Sequence, residues 1–129
     1  MIEKGRILAV DDSKTILAFV CQVLIPAGYV VQTSTDMWIS SIVSDFKPHL
    51  LLVDVEIGTI QSGVTVIQAL RKQRCGEGMK MVLYSSLPDV ELARLSGLCS
   101  ADGWLRKDGS PQSLLRIVGT HVKSQGVGH

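Results

Sequence analysis

The sequence predicts an α/β protein with a doubly wound parallel sheet, and three observations carry that prediction. Short aliphatic runs recur along the chain, segments of helical spacing lie between them, and glycine or proline punctuates the joints. The runs are Arg6 to Val10, Leu50 to Val55, Met79 to Tyr84 and Ala101 to Leu105, with a weaker one at Tyr29 to Thr33. Each is too short for a helix and rich in Val, Ile or Leu, as strands buried on both faces are.

Between the first two runs in chain order, Ile16, Leu17, Val20, Val23 and Leu24 fall on one helical stripe. Pro26 and Gly28 sit where that helix must stop and the chain re-enter a strand at Tyr29. Val66, Ile67 and Leu70 form a second stripe, separated from Met79 by Gly76 and Gly78. Pro88 stands where a fourth helix begins, and Pro111 opens a last helix with Ser110 as its cap. Strand and helix thus alternate five times. Right-handed crossovers then return each strand beside an earlier one, with helices on both faces of the sheet.

At 129 residues the chain has room for one domain, expected over 1–122, with the segment KSQGVGH at 123–129 read as a flexible tail or a truncated linker. Its 46% hydrophobic and 5% aromatic residues predict a core built from aliphatic side chains. Thirteen basic and twelve acidic residues give a net charge of +1, too small to gather nucleic acid or a membrane surface at long range. No run approaches the roughly 20 apolar residues of a membrane span. Cys21, Cys75 and Cys99 are odd in number and lack metal-ligand spacing, which fits a reducing, cytoplasmic setting. His49, His121 and His129 show no metal spacing either.

In a doubly wound sheet ligands bind at the carboxyl ends of the strands. There the sequence places Asp11 and Asp12 after the first run, Asp54 near the end of the third, Ser85 and Ser86 after the fourth, and Arg106 and Lys107 after the fifth. Three carboxylates brought together repel one another by several kcal/mol unless a cation sits among them. An all-oxygen donor set with room for water suits Mg²⁺. A metal, a lysine and a hydroxyl are the groups that stabilise the spread charge of a phosphoryl group, and a carboxylate at their centre can act as nucleophile.

These residues carry a resemblance that covers roughly Gly5 to Val122. ILAVDDSKTI resembles the first strand and acidic pair of response-regulator receiver domains, PHLLLVDVEI their phosphoacceptor strand, MVLYSS their hydroxyl-bearing strand and ADGWLRKDGSP their lysine-bearing strand. The resemblance implies a flavodoxin-like (βα)5 three-layer sandwich with a parallel five-stranded sheet of order 2-1-3-4-5. It implies Asp54 as phosphoacceptor, Asp12 as a direct Mg²⁺ ligand, Asp11 as a ligand through water, and the Glu56 backbone carbonyl as a further ligand. Ser85 and Lys107 stand where the family contacts the phosphoryl group, and Trp104 at its aromatic switch position. Also implied are a histidine kinase or histidine phosphotransfer protein as donor, a downstream protein or fused output domain as receiver of the signal, and homodimerisation on phosphorylation. Such a chain is a switch rather than an enzyme.

The sequence departs from the family pattern in three places. Asp108 follows Lys107 where a proline is usual; the loop VEIGTIQSG after Asp54 is about one residue longer, with Gly58 within it; and Trp104 is bulkier than the usual Tyr or Phe. Plainer readings stand beside the functional ones: the acidic pair as a helix cap, Lys107 as a surface lysine, Ser85 and Ser86 as strand-end hydroxyls, and Trp104 as a packing residue. The chief alternative is a receiver-like interaction module that signals without phosphorylation. A Mg²⁺-dependent aspartate phosphatase finds no support, because Asp54 is followed by VEIG rather than by a second acid-base aspartate of the DxD kind and the length leaves no room for a cap domain; a nucleotide-cofactor binder finds none, because no phosphate loop follows the first strand.

Overall fold

The computed structural model describes residues 3–57 and 61–122. The segment 123–129 and Gly58 lie outside the described residues. The elements are β1 (Gly5–Val10), α1 (Lys14–Leu24), β2 (Tyr29–Ser34), α2 (Ser40–Phe46), β3 (Leu50–Val53), β4 (Glu56–Ile57), β5 (Gln61–Ser62), α3 (Gly63–Arg71), a 3-10 turn (Arg74–Gly76), β6 (Lys80–Ser85), α4 (Asp89–Cys99), β7 (Gly103–Arg106) and α5 (Pro111–His121).

The five long strands form one parallel sheet in the order β2-β1-β3-β6-β7, which is 2-1-3-4-5 among the five repeats. Burial along the strands follows from this order. Central β1, β3 and β6 are buried almost throughout, whereas the edge strands β2 and β7 alternate between buried or half-buried and more exposed positions. Because successive side chains point to opposite faces, each central strand feeds two cores. Leu8, Val10, Leu51, Val53, Met81 and Leu83 pack with α2, α3 and α4, and Ile7, Ala9, Leu50, Leu52, Val82 and Tyr84 pack with α1 and α5. Among the described residues no helix is long and apolar enough to cross a membrane.

Local chemistry sets the helix ends. Ser13 caps α1 by accepting from the Ile16 N–H, and Ser110 caps α5 by accepting from the Ser113 N–H with Pro111 at the first helical turn. After α1 the chain turns at Gly28, whose φ of +106° lies where side chains are strained, and its carbonyl accepts from the Lys4 N–H.

The strands differ from the sequence expectation at their ends. β3 stops at Val53, so Asp54 follows the strand rather than lying within it, while β6 and β7 each start and end one or two residues later than expected. The antiparallel pair β4 and β5, in register Glu56 with Ser62, is an added feature in the loop after Asp54. Cys21 is half-buried.

Candidate functional site

The carboxyl ends of β1, β3, β6 and β7 bring Asp11, Asp54, Ser85 and Lys107 to one rim of the sheet. Asp11 directly follows β1, and its N–H is held by the Ser34 carbonyl. Its side chain works in two directions, since Oδ1 accepts from the Ser13 N–H at 2.9 Å while Oδ2 accepts from Lys107 Nζ at 2.5 Å. The plain reading of the acidic pair as part of a helix start therefore holds for Asp11 together with a place in the cluster.

Asp54 is 9% and Asp11 3% exposed, while Asp12 faces solvent. One carboxylate oxygen from each of the three lies within 4.8 Å of the others. Burial pushes the Asp54 carboxyl above its ordinary range of 3.8; the Lys107 ammonium pulls it back and neighbouring Asp11 pushes it further up. Lys107 Nζ stands 3.2 Å from Asp54 Oδ2, with its side chain 11% exposed. The plain reading of Lys107 as a surface lysine does not describe it. Its backbone N–H donates to the Ser85 carbonyl at 2.8 Å, which seats the end of β7 on the end of β6. All described peptide bonds are trans, that between Lys107 and Asp108 included.

The donor set fits a hard divalent cation: all oxygen, two acids sunk in the rim and one open to water. The ammonium of Lys107 already meets two of these carboxylates, so part of the repulsion that points to a metal is relieved by the chain itself. Sequence reading placed lysine and acids on one edge but not in direct contact. That contact joins residues 96 apart in the chain.

Ser85 is 4% exposed, and its Oγ accepts from the Leu87 N–H at 3.3 Å, leaving its own hydrogen to donate. Ser86 is exposed. Trp104, on β7 opposite Leu83, is 38% exposed. Glu56 is exposed, and it opens the β4 and β5 ribbon whose return leads straight into α3. Gly63 at the start of α3 donates to the Val55 carbonyl at 2.8 Å, and a Cβ there would collide with the Asp54 carbonyl oxygen. Only glycine permits that approach.

Two residues escaped sequence reading. Tyr84, the last apolar residue before Ser85, places its ring 5.7 Å from Lys107 Nζ. Burial first, then Asp108 and Asp11, push its hydroxyl up to about 12. Asp102, at the start of the lysine-bearing segment, accepts from the Met81 N–H and from Arg71, both at 2.8 Å.

A five-stranded sheet of this order with acids, hydroxyl and lysine at its carboxyl rim defines a receiver-type α/β domain. The chain matches the response regulator receiver domain family over residues 7–119, and it belongs to that family. In structure it is similar to the chemotaxis protein CheY4 of Vibrio cholerae, with a TM-score of 0.82 and 25% identity over 91% of this chain and 98% of that one. A CheY-like receiver domain protein of Methanospirillum hungatei is similar too, at 25% identity over 93% of each chain and a TM-score of 0.78. The BeF3 activated DrrB receiver domain matches at 25% identity over 94% of this chain and 97% of that one, with a TM-score of 0.75. No curated protein matches in sequence.

Proposed function

We propose that this receiver domain takes a phosphoryl group onto Asp54 from a histidine kinase or histidine phosphotransfer protein and thereby changes its affinity for a downstream protein or a fused output domain. The single observation that carries the reading is the 3.2 Å approach of Lys107 Nζ to Asp54 Oδ2 inside the acid cluster, because it presents a buried carboxylate beside a cation suited to phosphoryl oxygens. The similarity to a receiver recorded in a BeF3 activated form supports it.

In this mechanism an Asp54 carboxylate oxygen attacks phosphorus. The new O–P bond forms as the N–P bond of phosphohistidine breaks, and the imidazole nitrogen leaves with the electron pair. Lys107 donates its ammonium hydrogen bonds to a phosphoryl oxygen in place of the free carboxylates, and Ser85 donates its hydroxyl hydrogen to another. Asp11, Asp12, Asp54 and the Glu56 carbonyl would hold Mg²⁺, which when bound offsets the negative charge of the phosphoryl oxygens. Trp104 is the residue whose ring follows Ser85 inward. Hydrolysis reverses the charge change: a water oxygen bonds to phosphorus as the Asp54 O–P bond breaks, inorganic phosphate leaves with the water's protons shared between it and solvent, and Asp54 regains its carboxylate. The domain is a switch rather than an enzyme, and a cytoplasmic setting fits it.

Incubation with acetyl phosphate and Mg²⁺, followed by intact mass measurement, tests the reading. One phosphoryl adduct is expected on the wild type and none on Asp54→Ala. An unmodified wild type, with no saturable response to beryllofluoride, would favour an interaction module that works without phosphorylation.

A further inference from the structure

Lys107 carries four rotatable side-chain bonds, and its two ionic partners are the groups whose charge changes when ligands arrive. Asp11 and Asp54 aim the ammonium only while they are free carboxylates. Fixing such a side chain costs on the order of 2 kcal/mol in rotamer entropy, so a flexible lysine needs a partner that outlasts the chemistry. The face of the sheet that packs with α1 and α5 supplies one. Tyr84 is buried on that face at the end of β6, and Lys107 Nζ lies 5.7 Å from its ring centroid. That is within the reach of a cation–π contact, which strengthens where both groups are shielded from water.

We propose that Tyr84 is the positioning residue for Lys107: its ring holds the ammonium at the inner edge of the acid cluster by a contact that survives when Asp54 is phosphorylated and Asp11 turns to metal. The proposal rests on the reading of Asp54 as phosphoacceptor. Its geometry comes from two chain features. The ladder pairs Tyr84 with Leu105, and the Lys107 N–H donates to the Ser85 carbonyl, so the lysine backbone is pinned just beyond the tyrosine. The phenol stays protonated across the physiological range, so the ring face offers no competing phenolate.

The test is a double-mutant cycle on the full chain, with beryllofluoride affinity read by heteronuclear NMR at saturating Mg²⁺. Tyr84→Leu is expected to weaken binding about fivefold, the scale of a partly exposed cation–π contact, and Tyr84→Phe, which keeps the ring, to restore it to within about twofold. In a Lys107→Ala background Tyr84→Leu should change affinity by less than about twofold, because the ring then has nothing to hold. If Tyr84→Leu unfolds, Tyr84→Met fills the core without a ring and carries the same expectation. An equal loss in both backgrounds, a loss in Tyr84→Phe as large as in Tyr84→Leu, or no loss at all overturns the proposal while leaving the phosphoacceptor reading intact. A wild type that binds no beryllofluoride overturns both.

Discussion

Lys107 Nζ donates to Asp11 Oδ2 at 2.5 Å, an ion pair at the rim of the sheet between the residues that directly follow its first and last strands in sequence. A metal ion drawn to the same carboxylates must share them with that ammonium. Removing it takes a positive charge from the immediate surroundings of a divalent cation, and Lys107→Ala is expected to bind Mg²⁺ about five- to tenfold more tightly while its phosphorylation slows. Calorimetric titration checks the affinity; a weaker or unchanged value would mean that the lysine does not compete.

Asp54 contributes to stability with a sign opposite to most acids. Its carboxyl is raised above the ordinary value of 3.8, chiefly by burial, so the folded state prefers the neutral form. Stability from this group is fully present below that value and is lost as pH rises through the higher folded one. Asp54→Asn should therefore melt several degrees above the wild type at neutral pH without Mg²⁺, the gap closing below about pH 4. Thermal melts across that range measure it, and saturating Mg²⁺ should raise the wild type more than the variant.

His49 gives a second pH signature. Burial first and Arg6 next lower its pKa below 6.5, with Glu3 opposing, and its Nδ1 accepts the Arg6 N–H at 2.9 Å, a bond only the unprotonated nitrogen can make. Below 6.5 the unfolded chain binds the extra proton, so stability present at neutral pH falls as pH drops. Denaturant titrations between about pH 5 and 7.5 should show this slope in the wild type and a flatter one in His49→Gln.

Asp102 ties three elements by accepting from Arg71 of α3 and from the Met81 N–H of β6 while it precedes β7. Asp102→Ala leaves a buried strand N–H without its partner and should cost about 2 kcal/mol, read as a lower midpoint in urea with unchanged slope. A loss below about 0.5 kcal/mol would mark the bond as replaceable by water.

Glu56 sits two residues beyond Asp54 with its side chain exposed. A second negative group beside an acyl phosphate opposes it electrostatically, and Glu56→Asn should lengthen the life of the phosphorylated state severalfold. The rate of autodephosphorylation after removal of the phosphodonor decides; an unchanged rate would show that the side chain points away from the phosphoryl group.

Much of the fold was legible because central β1, β3 and β6 are buried on both faces and so read as unbroken aliphatic runs. The edge strand β2, alternating and more exposed, gave the weakest signal for the same reason. The pair Glu56–Ile57 and Gln61–Ser62 carried none, since two residues a side are too few for a period. At the rim, a shared edge for Asp11, Asp54 and Lys107 followed from strand ends alone, whereas the direct contact of the lysine with both acids did not. What Tyr84 and Asp102 do depends on neighbours from distant elements, which spacing along the chain does not encode.

The ribbon after Asp54 acts as a clasp. Glu56 faces Ser62 across it, and Gly63 is tied back to Val55, so the stretch flanking the acceptor is fastened at both ends before α3 begins. The backbone that leads away from the acid is thereby anchored by bonds that belong to the fold and to no ligand, a fixed platform from which the carboxylate meets whatever arrives.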